Sequence, residues 1–262
     1  MTTNIYTWTE DMLSPLGEQA IVIRCGDVLS EEVHQRVMAV CALLENRSLT
    51  SLVEWVPSYL SVTLFYNPSS LSYEETCRLL LQLLHQSNHV HQQSQPNRDS
   101  EPGKSEDMET GVAPSASRIV TIPVCYCGAF GPDLEYVAEE NQLTIEEVIA
   151  IHTSADYLVH MIGFAPGFPY LGGLSERIAT ARRATPRLRV EAGTVGIGGS
   201  QTGIYPVTSP GGWQCIGRTP LRLFRPEENP PSLLEAGDVV RFQSITMQQY
   251  TELARKGEND GF

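Results

Sequence analysis

Two helices, each with one apolar face, are predicted in the first third of the chain. Apolar residues recur at helical spacing from Val33 to Leu44, and Ser30 stands before them as an N-cap. A second apolar stripe follows Ser72, which forms the capping-box pattern with Glu75. Because an apolar face must be buried, we expect both helices to pack on a sheet.

Strand patterns surround these two helices. Short apolar or extended runs lie on either side of residues 14–17, at 52–55 and at 60–66. Strands and helices that alternate in this order are typical of a small α/β sandwich, in which two helices cover one sheet. We therefore predict an N-terminal α/β domain at 1–87. No polar side chains converge in it, so we interpret it as a scaffold or a partner-docking module.

The next segment, 88–117, has a different composition. It is rich in Gln, Ser, Asn, Pro, Asp and Glu and has almost no bulky apolar residue. Such a segment cannot bury enough apolar surface to offset the entropy lost on ordering. We predict a flexible polar linker.

The second half of the chain has the pattern of a β-rich domain. Strands are predicted at 118–124, 157–162 and 239–242, and capping patterns near Gly131 and Thr144 predict two short helices. Between them, dense glycine and proline separate short apolar runs, which is typical of small barrel strands joined by shaped loops. The predicted fold class is α+β, with a β-barrel domain at 118–250 and a polar C-terminal tail at 251–262.

Composition and charge narrow the possible functions. The chain has 262 residues, 41% of them hydrophobic, and a formal net charge of -13. It can therefore bury a core, but it has no basic surface for nucleic acid or an anionic membrane. Its first residues lack an export pattern and no apolar run is long enough to span a bilayer, so we expect a cytoplasmic protein.

Six cysteines are spread through apolar stretches, and we expect them to be reduced. Cys125 and Cys127 are two residues apart, so on a strand they would face the same way. Without a Cys-x-x-Cys pair or a nearby histidine they do not complete a metal site, and we interpret them as structural. We expect no metal site in this chain.

Arginines near the glycine-rich segments suggest an anionic ligand. Guanidinium groups bind carboxylate or phosphate with two parallel hydrogen bonds. Arg187 and Arg218 flank the glycine-rich segments. The alternative is that they form salt bridges with the excess Asp and Glu. His160, on a predicted strand, is a candidate general base or a structural histidine. We select His160, Arg187 and Arg218 as candidate catalytic residues.

Neutral polar and aromatic groups lie around the same turns. They could orient a small polar substrate and wall its pocket, although turn capping and core packing are alternatives. The candidate substrate-binding residues are Gln201, Thr202, Tyr205, Ser209 and Trp213.

Several segments together resemble the signatures of a known family. It is the family of the B subunit of bacterial 5-oxoprolinase, also called the KipI kinase-inhibitor family and the allophanate hydrolase subunit 1 or carboxyltransferase subdomain C group. The resemblance extends to the N-terminal region more weakly and leaves only the linker clearly outside. It is carried by residues 131–134, 162–174, 201–206, 209–213, 216–220 and 234–238.

The resemblance implies a fold, partners and a reaction. The barrel is expected to be cyclophilin-like, and the KipA-like C subunit is expected to form a complex with this chain. Together with the A subunit they are expected to cleave 5-oxo-L-proline to L-glutamate. ATP would be the co-substrate, bound jointly with one of these partners and accompanied by Mg²⁺, and this chain would be inactive alone.

Two other functions share the same framework. One is inhibition of a sensor histidine kinase, as the KipI name suggests. The other is that of a carboxyltransferase or allophanate hydrolase-type subunit, which would need a biotin-bearing partner because this chain has no Met-Lys-Met biotin-acceptor segment.

Overall fold

The computed structural model describes residues 6–45, 51–90 and 118–259. It divides into two compact units, Met1–Ala116 and Ser117–Phe262. The predicted linker at 88–117 lies outside the described residues from position 91 onward. Each unit has a hydrophobic core of its own.

The first unit is a four-stranded antiparallel sheet with two helices. The strand order is β1-β2-β4-β3, so that β2 and β4 are the central pair. One core contains residues of the sheet and of both helices, in agreement with the predicted small α/β sandwich. In chain order the elements are β1 (Leu13–Leu16), β2 (Ala20–Arg24), α1 (Glu31–Glu45), β3 (Leu52–Pro57), β4 (Ser61–Tyr66) and α2 (Tyr73–Val90).

The caps predicted for these two helices are present. The Ser30 hydroxyl accepts a hydrogen bond from the Val33 amide at 3.2 Å. The Ser72 hydroxyl accepts from the Glu75 amide at 3.2 Å, and the Ser72 amide donates to the Glu75 carboxylate at 2.8 Å. This reciprocal pair is the capping box, which satisfies two amides that the helix itself cannot use. Helix α2 continues to Val90, three residues beyond the predicted domain boundary at 87.

The second unit is built on a seven-stranded, mostly antiparallel sheet. Its strand order is β12-β9-β10-β7-β6-β13-β5, and β11 pairs with β8 in a separate two-stranded sheet. The elements are β5 (Ile119–Val124), α3 (Leu134–Glu140), α4 (Ile145–Ser154), β6 (Asp156–Ile162), β7 (Pro169–Gly172), β8 (Arg187–Val190), β9 (Thr194–Gly198), β10 (Gln201–Ile204), β11 (Ser209–Gly211), β12 (Gln214–Arg218), β13 (Val239–Ser244) and α5 (Met247–Asn259).

The two outer strands of the large sheet meet at one backbone pair. The Cys125 amide donates to the Arg218 carbonyl and the Arg218 amide donates to the Cys125 carbonyl, both at 2.9 Å. This pair joins the end of β5 to β12, so the sheet curls into a nearly closed barrel around its apolar core. The α+β fold class with a barrel-like second domain is therefore confirmed.

The C-terminal segment differs from the prediction of a polar tail. Residues 247–259 form α5, and Tyr250 packs on Phe130 with ring centroids 4.5 Å apart. Thr246 and Gln249 form a second reciprocal cap, with Gln249 N to Thr246 Oγ1 at 3.2 Å and Thr246 N to Gln249 Oε1 at 2.8 Å. That Thr-x-x-Gln pattern was the sequence signal for a helix start.

Candidate functional site

The candidate site is a cavity of about 320 Å³ in the second unit. It lies where the loop before β7, the loop before β8 and the turn between β11 and β12 come together. Aromatic rings and glycine backbone form most of its wall, and two arginines are its charged groups. The lining residues are Phe164, Phe168, Tyr170, Arg182, Arg183, Pro186, Tyr205, Pro210, Gly211, Gly212 and Trp213.

Phe168 lies at the centre of the aromatic wall. Its ring makes edge-to-face contacts with Tyr205 at 5.7 Å and with Trp213 at 5.6 Å between centroids. Tyr170 and Phe164 add edge contacts at 5.0 and 5.4 Å. Rings that lock one another in this geometry present a rigid apolar surface to a ligand. We refer to Phe164, Phe168, Tyr170, Tyr205 and Trp213 as the aromatic wall.

The glycines of the central stretch make room for the aromatic wall. A Cβ at Gly198 would lie 2.6 Å from Trp213 Nε1, and one at Gly211 would lie 2.4 Å from the Tyr205 hydroxyl. Both distances are too short for a side chain, so these rings pack directly on glycine backbone. The density of glycine in this stretch therefore serves the pocket wall as well as the barrel turns.

Phe164 stands at the pocket rim in an unusual conformation. Its φ is 67°, in the left-handed region that non-glycine residues seldom adopt, and it is 68% exposed. A large apolar side chain held in a strained and exposed position is typical of a functional site rather than of a core.

A buried carboxylate, Asp133, holds two of the nearby arginines. Arg187 donates to it in bidentate fashion, Nη1 to Oδ2 at 2.8 Å and Nη2 to Oδ1 at 2.7 Å. Arg183 donates from Nη1 to Oδ1 at 3.0 Å, and the Cys215 amide donates to Oδ2 at 2.6 Å. Asp133 precedes α3 but makes no side-chain cap, because its oxygens are used in these bonds. The hydrogen bonds from Arg187 to Asp133 raise the pKa of Arg187, which stays charged.

Arg182 differs from its arginine neighbours. Its guanidinium lies over the Trp213 ring, 5.8 Å from the centroid, and within the described residues it has no hydrogen bond or ion pair to a carboxylate. Arg183 and Arg187 share Asp133, and Arg189 pairs with Glu191 at 2.6 Å. Arg182 is therefore the cation of this cluster that is available to an anionic ligand in the pocket.

The structure separates the predicted catalytic residues from this pocket. Arg187 is directed to Asp133, and Arg218 donates from Nε to the Ala192 carbonyl at 2.9 Å and lies over Phe130. His160 is buried on β6, where its ring lies against Gly172, at which a Cβ would approach Nε2 to 2.2 Å. None of the three lines the cavity. Their catalytic roles stay predictions, but the geometry does not gather them around one ligand.

The predicted substrate-binding residues divide into two groups. Tyr205 and Trp213 line the pocket. Gln201, Thr202 and Ser209 lie on β10 and β11 and do not line it. Thr202 is fully buried and donates to the Gly196 carbonyl at 3.0 Å, so its hydroxyl is used within the barrel. The substrate-binding roles of these three residues stay predictions.

A buried histidine that the sequence reasoning did not select lies in the barrel core. His152, on α4, pairs through Nδ1 with the Tyr126 hydroxyl at 2.8 Å and through Nε2 with the Thr202 hydroxyl at 3.1 Å. Its ring stacks on Phe242 with centroids 4.4 Å apart. Complete burial lowers the pKa of His152 to about 3, so it is neutral at physiological pH.

Burial also affects two ionisable groups in and next to the aromatic wall, Tyr205 and Cys215. It raises the pKa of the Cys215 thiol to about 11 and raises the pKa of the Tyr205 phenol. Both groups are therefore neutral and act as packing and hydrogen-bonding groups. Within the described residues, no set of three or more His, Cys, Asp and Glu side chains could hold a metal ion.

The site residues Arg182, Arg183 and Asp133 were not selected from the sequence. Arg182 and Arg183 lie close in sequence to Arg187 and Arg189. No periodicity in the sequence distinguishes the arginine that lies free beside the pocket from the arginines that pair with carboxylates. The available signal was composition, since two adjacent arginines beside a glycine-rich segment are unusual in a chain with net charge -13.

The chain belongs to the carboxyltransferase domain family, as the match to its family model shows. Residues 12–234 match the carboxyltransferase domain, subdomain C and D. At the level of individual proteins, it is similar to the B subunit of 5-oxoprolinase from Bacillus subtilis, with 46% identity over 91% of this chain and 94% of that protein. The Escherichia coli O157:H7 protein of the same name is 40% identical over 87% of this chain and 93% of its own length.

A solved structure supports the fold assignment. Kluyveromyces lactis urea carboxylase has a region that superposes with a TM-score of 0.72, covering 95% of this chain and 23% of that chain. At 19% identity the likeness concerns the fold. Among the described helices, none combines the length and apolar character that crossing a bilayer requires.

Proposed function

We propose that this chain is the B subunit of an ATP-dependent 5-oxoprolinase and that it acts in the cytoplasm with the A and C subunits of that enzyme. The observation that carries the proposal is the match to the Bacillus subtilis B subunit over nearly the whole length of both chains. The match covers 91% of this chain and 94% of that protein, so it extends over both units of the chain and is not limited to one shared domain. The reaction is the opening of 5-oxo-L-proline to L-glutamate.

The aromatic pocket suits this substrate. 5-Oxo-L-proline is a small five-membered lactam ring that carries one carboxylate. The aromatic wall offers apolar surface to the ring, and Arg182 offers a cation to the carboxylate. Arg183 lies beside it and is fixed by Asp133. A pocket with apolar walls and a single available cation distinguishes a small cyclic acid from larger or uncharged molecules.

The chemistry explains the need for ATP. A lactam is a poor electrophile, because its nitrogen donates electron density to the carbonyl. If the lactam oxygen attacks the γ-phosphorus of ATP, ADP departs and the carbon gains a phosphate leaving group. Water can then add to that carbon, and the C–N bond breaks as the ring nitrogen takes a proton, which opens the ring to an acyl phosphate of glutamate. A second water molecule then displaces phosphate and leaves glutamate. Guanidinium groups near the pocket would hold the substrate while this charge moves.

We propose that catalysis requires the partner subunits. Asp133 and Glu191 in this region are paired with arginines, and His152 and His160 are buried in the barrel. The described residues of this region therefore offer no exposed, unpaired acid or base beside the pocket. ATP, Mg²⁺ and the groups that transfer protons would be supplied by the A and C subunits, and this chain alone would be inactive.

Reconstitution tests the proposal. The purified A and C subunits are mixed with 5-oxoproline, ATP and Mg²⁺, with or without this chain, and glutamate and ADP are measured. We expect glutamate to form only in the complete mixture, in a ratio of one glutamate to one ADP. Equal glutamate formation without this chain would contradict the proposal.

Urea carboxylation is the second candidate, because the fold is shared with Kluyveromyces lactis urea carboxylase. That likeness is at 19% identity and concerns the fold, whereas the identity to the Bacillus subtilis B subunit of 5-oxoprolinase is 46%. The same mixture supplied with urea, bicarbonate and a biotinylated carrier protein should show no carboxylation. Inhibition of a histidine kinase stays a prediction, and a kinase autophosphorylation assay with this chain would test it.

A further inference from the structure

Cys125 and Cys127 lie where the barrel closes, and their thiols face each other. The two sulfur atoms are 2.7 Å apart, inside the van der Waals separation of two sulfurs. Cys125 is buried and Cys127 is exposed. Packing explains a buried thiol but not an exposed thiol held against it, so this pair differs from the other cysteines of the chain.

The backbone holds this arrangement in place. Tyr126, between the two cysteines, points into the core, where its hydroxyl pairs with His152 at 2.8 Å. Since neighbouring side chains on an extended chain alternate, both thiols project to the opposite side. At the start of this segment, Cys125 is fixed by the backbone pair with Arg218 that closes the barrel. At its end, Cys127 precedes a 3₁₀ turn at Gly128–Phe130. The fold therefore holds the two sulfur atoms close together.

We propose that Cys125 and Cys127 are a reversible redox site that forms an intramolecular disulfide by exchange with a low-molecular-weight disulfide such as oxidised glutathione. The Cys127 thiolate attacks one sulfur of the reagent, whose S–S bond breaks and releases one glutathione. The Cys125 thiolate then attacks Cys127 Sγ in the mixed disulfide and releases the second glutathione. Two protein thiols are oxidised, the reagent is reduced to two thiols, and the two protein protons pass to the released thiolates.

The order of attack follows from the environment of each thiol. Cys127 is exposed and can reach a reagent in solution, whereas Cys125 is buried and can reach only Cys127. Burial also raises the pKa of Cys125 to about 11, which disfavours it as the first nucleophile. Because Cys125 contributes the backbone pair that joins β5 to β12, the disulfide would form at the closure of the barrel beside Arg218.

Peptide mass spectrometry tests this proposal on the full chain. The chain is equilibrated in mixtures of reduced and oxidised glutathione, quenched with acid, alkylated after denaturation and digested with trypsin. Cleavage after Arg118 and Arg177 gives the peptide 119–177, which contains Cys125 and Cys127 and no other cysteine. We expect two alkyl groups on it in reducing mixtures. In oxidising mixtures we expect none, with a mass two hydrogens below that of the unmodified dithiol peptide.

Two variants sharpen the result. Cys127→Ser should leave Cys125 alkylated in every mixture, and Cys77→Ser, in the first unit, should leave the oxidation of peptide 119–177 unchanged. The proposal is overturned if, in oxidising mixtures, the peptide keeps both alkyl groups. It is also overturned if glutathione accumulates on Cys127 while Cys125 stays alkylated, because the second exchange step would then be absent.

Discussion

Asp133 is the residue that determines which arginine faces the pocket. It is 4% exposed and accepts bonds from two arginines and one amide. These bonds occupy Arg187 fully and Arg183 partly, which leaves Arg182 for a ligand. The sequence analysis selected Arg187 because it lies beside the glycine-rich segment, as Arg182 and Arg183 also do. The choice depends on a carboxylate 54 residues earlier in the chain, which no local pattern reveals.

Replacement of Asp133 should therefore be costly. In Asp133→Asn the partly buried guanidinium groups of Arg183 and Arg187 lose their counter-charge, and we expect the free energy of unfolding to fall by about 2 kcal/mol. The measurement is urea unfolding followed by Trp213 fluorescence in a Trp8→Phe, Trp55→Phe background, where Trp213 is the only tryptophan.

Asp156→Asn is the matched control, because Asp156 also pairs with an arginine, Arg241, but both partners are about half exposed, at 52% and 51%. We expect it to cost much less than Asp133→Asn, because solvent screens an exposed ion pair. Equal losses in the two variants would contradict the role assigned to Asp133.

His152 should make the stability of the second unit depend on pH. Its pKa is lowered from an ordinary 6.5 to about 3, so the folded state keeps it neutral while the unfolded state binds a proton below 6.5. The stabilisation is complete above that value and is lost as the pH falls toward 3, with a loss of about 2 kcal/mol by pH 5.

The variant His152→Gln removes this titration. In the same single-tryptophan background, unfolding free energy measured at several pH values between 7 and 5 should fall less steeply for the variant than for the parent. Parallel curves would show that His152 does not titrate on unfolding.

At the scale of elements, the pocket depends on a strand position that has no side chain. Gly198 ends β9 and faces the Trp213 indole, so a Cβ there would meet Nε1 at 2.6 Å and neighbouring ring atoms at 2.7 Å. Trp213 is 6% exposed in the present packing. The aromatic wall therefore depends on β9 as much as on its own rings.

Gly198→Ala should displace the indole toward solvent and weaken substrate binding. We expect a red shift of Trp213 fluorescence in the single-tryptophan background and a lower affinity for 5-oxoproline. Gly212→Ala is the control for the fluorescence, because its Cβ would meet Pro186 at an ordinary 3.6 Å. The same emission maximum in Gly198→Ala as in the parent would argue against this packing.

Much of the element pattern could be predicted from the sequence. Ser72 and Glu75 mark the start of α2, and Thr144 and Glu147 mark that of α4, because a capping box is a local signal. The start of α5 carried the same signal at Thr246, but the polar composition of 251–262 led to the prediction of a tail.

The site was harder to predict than the elements. Trp213 was selected as a possible wall of a pocket and Tyr205 as a neutral hydrogen-bonding group beside the glycine turns, and both line the pocket. His160 and Thr202 are polar residues on strands, and the sequence alone does not say which side of a closed barrel each strand position faces. Arg182 could be distinguished only when the partners of its neighbours were known.

At the scale of the whole molecule, the negative net charge means that an anionic ligand must be bound by a cation close to it. The chain carries a net charge of -13, which repels anions at long range. Arg182 lies over Trp213 without a carboxylate partner among the described residues, so its charge is available at short range. A cation beside apolar rings can bind a small carboxylate at hydrogen-bond distance despite the acidic surroundings.

The most direct test of the proposed pocket is the KM for 5-oxoproline in the reconstituted three-subunit assembly with Arg182→Ala in this chain. Because a charged hydrogen bond to the substrate would be lost, we expect KM to rise by roughly 10- to 100-fold. Arg189→Ala, whose arginine pairs with Glu191 on the surface, should leave KM unchanged. An unchanged KM in Arg182→Ala would contradict the assignment of this pocket to the substrate.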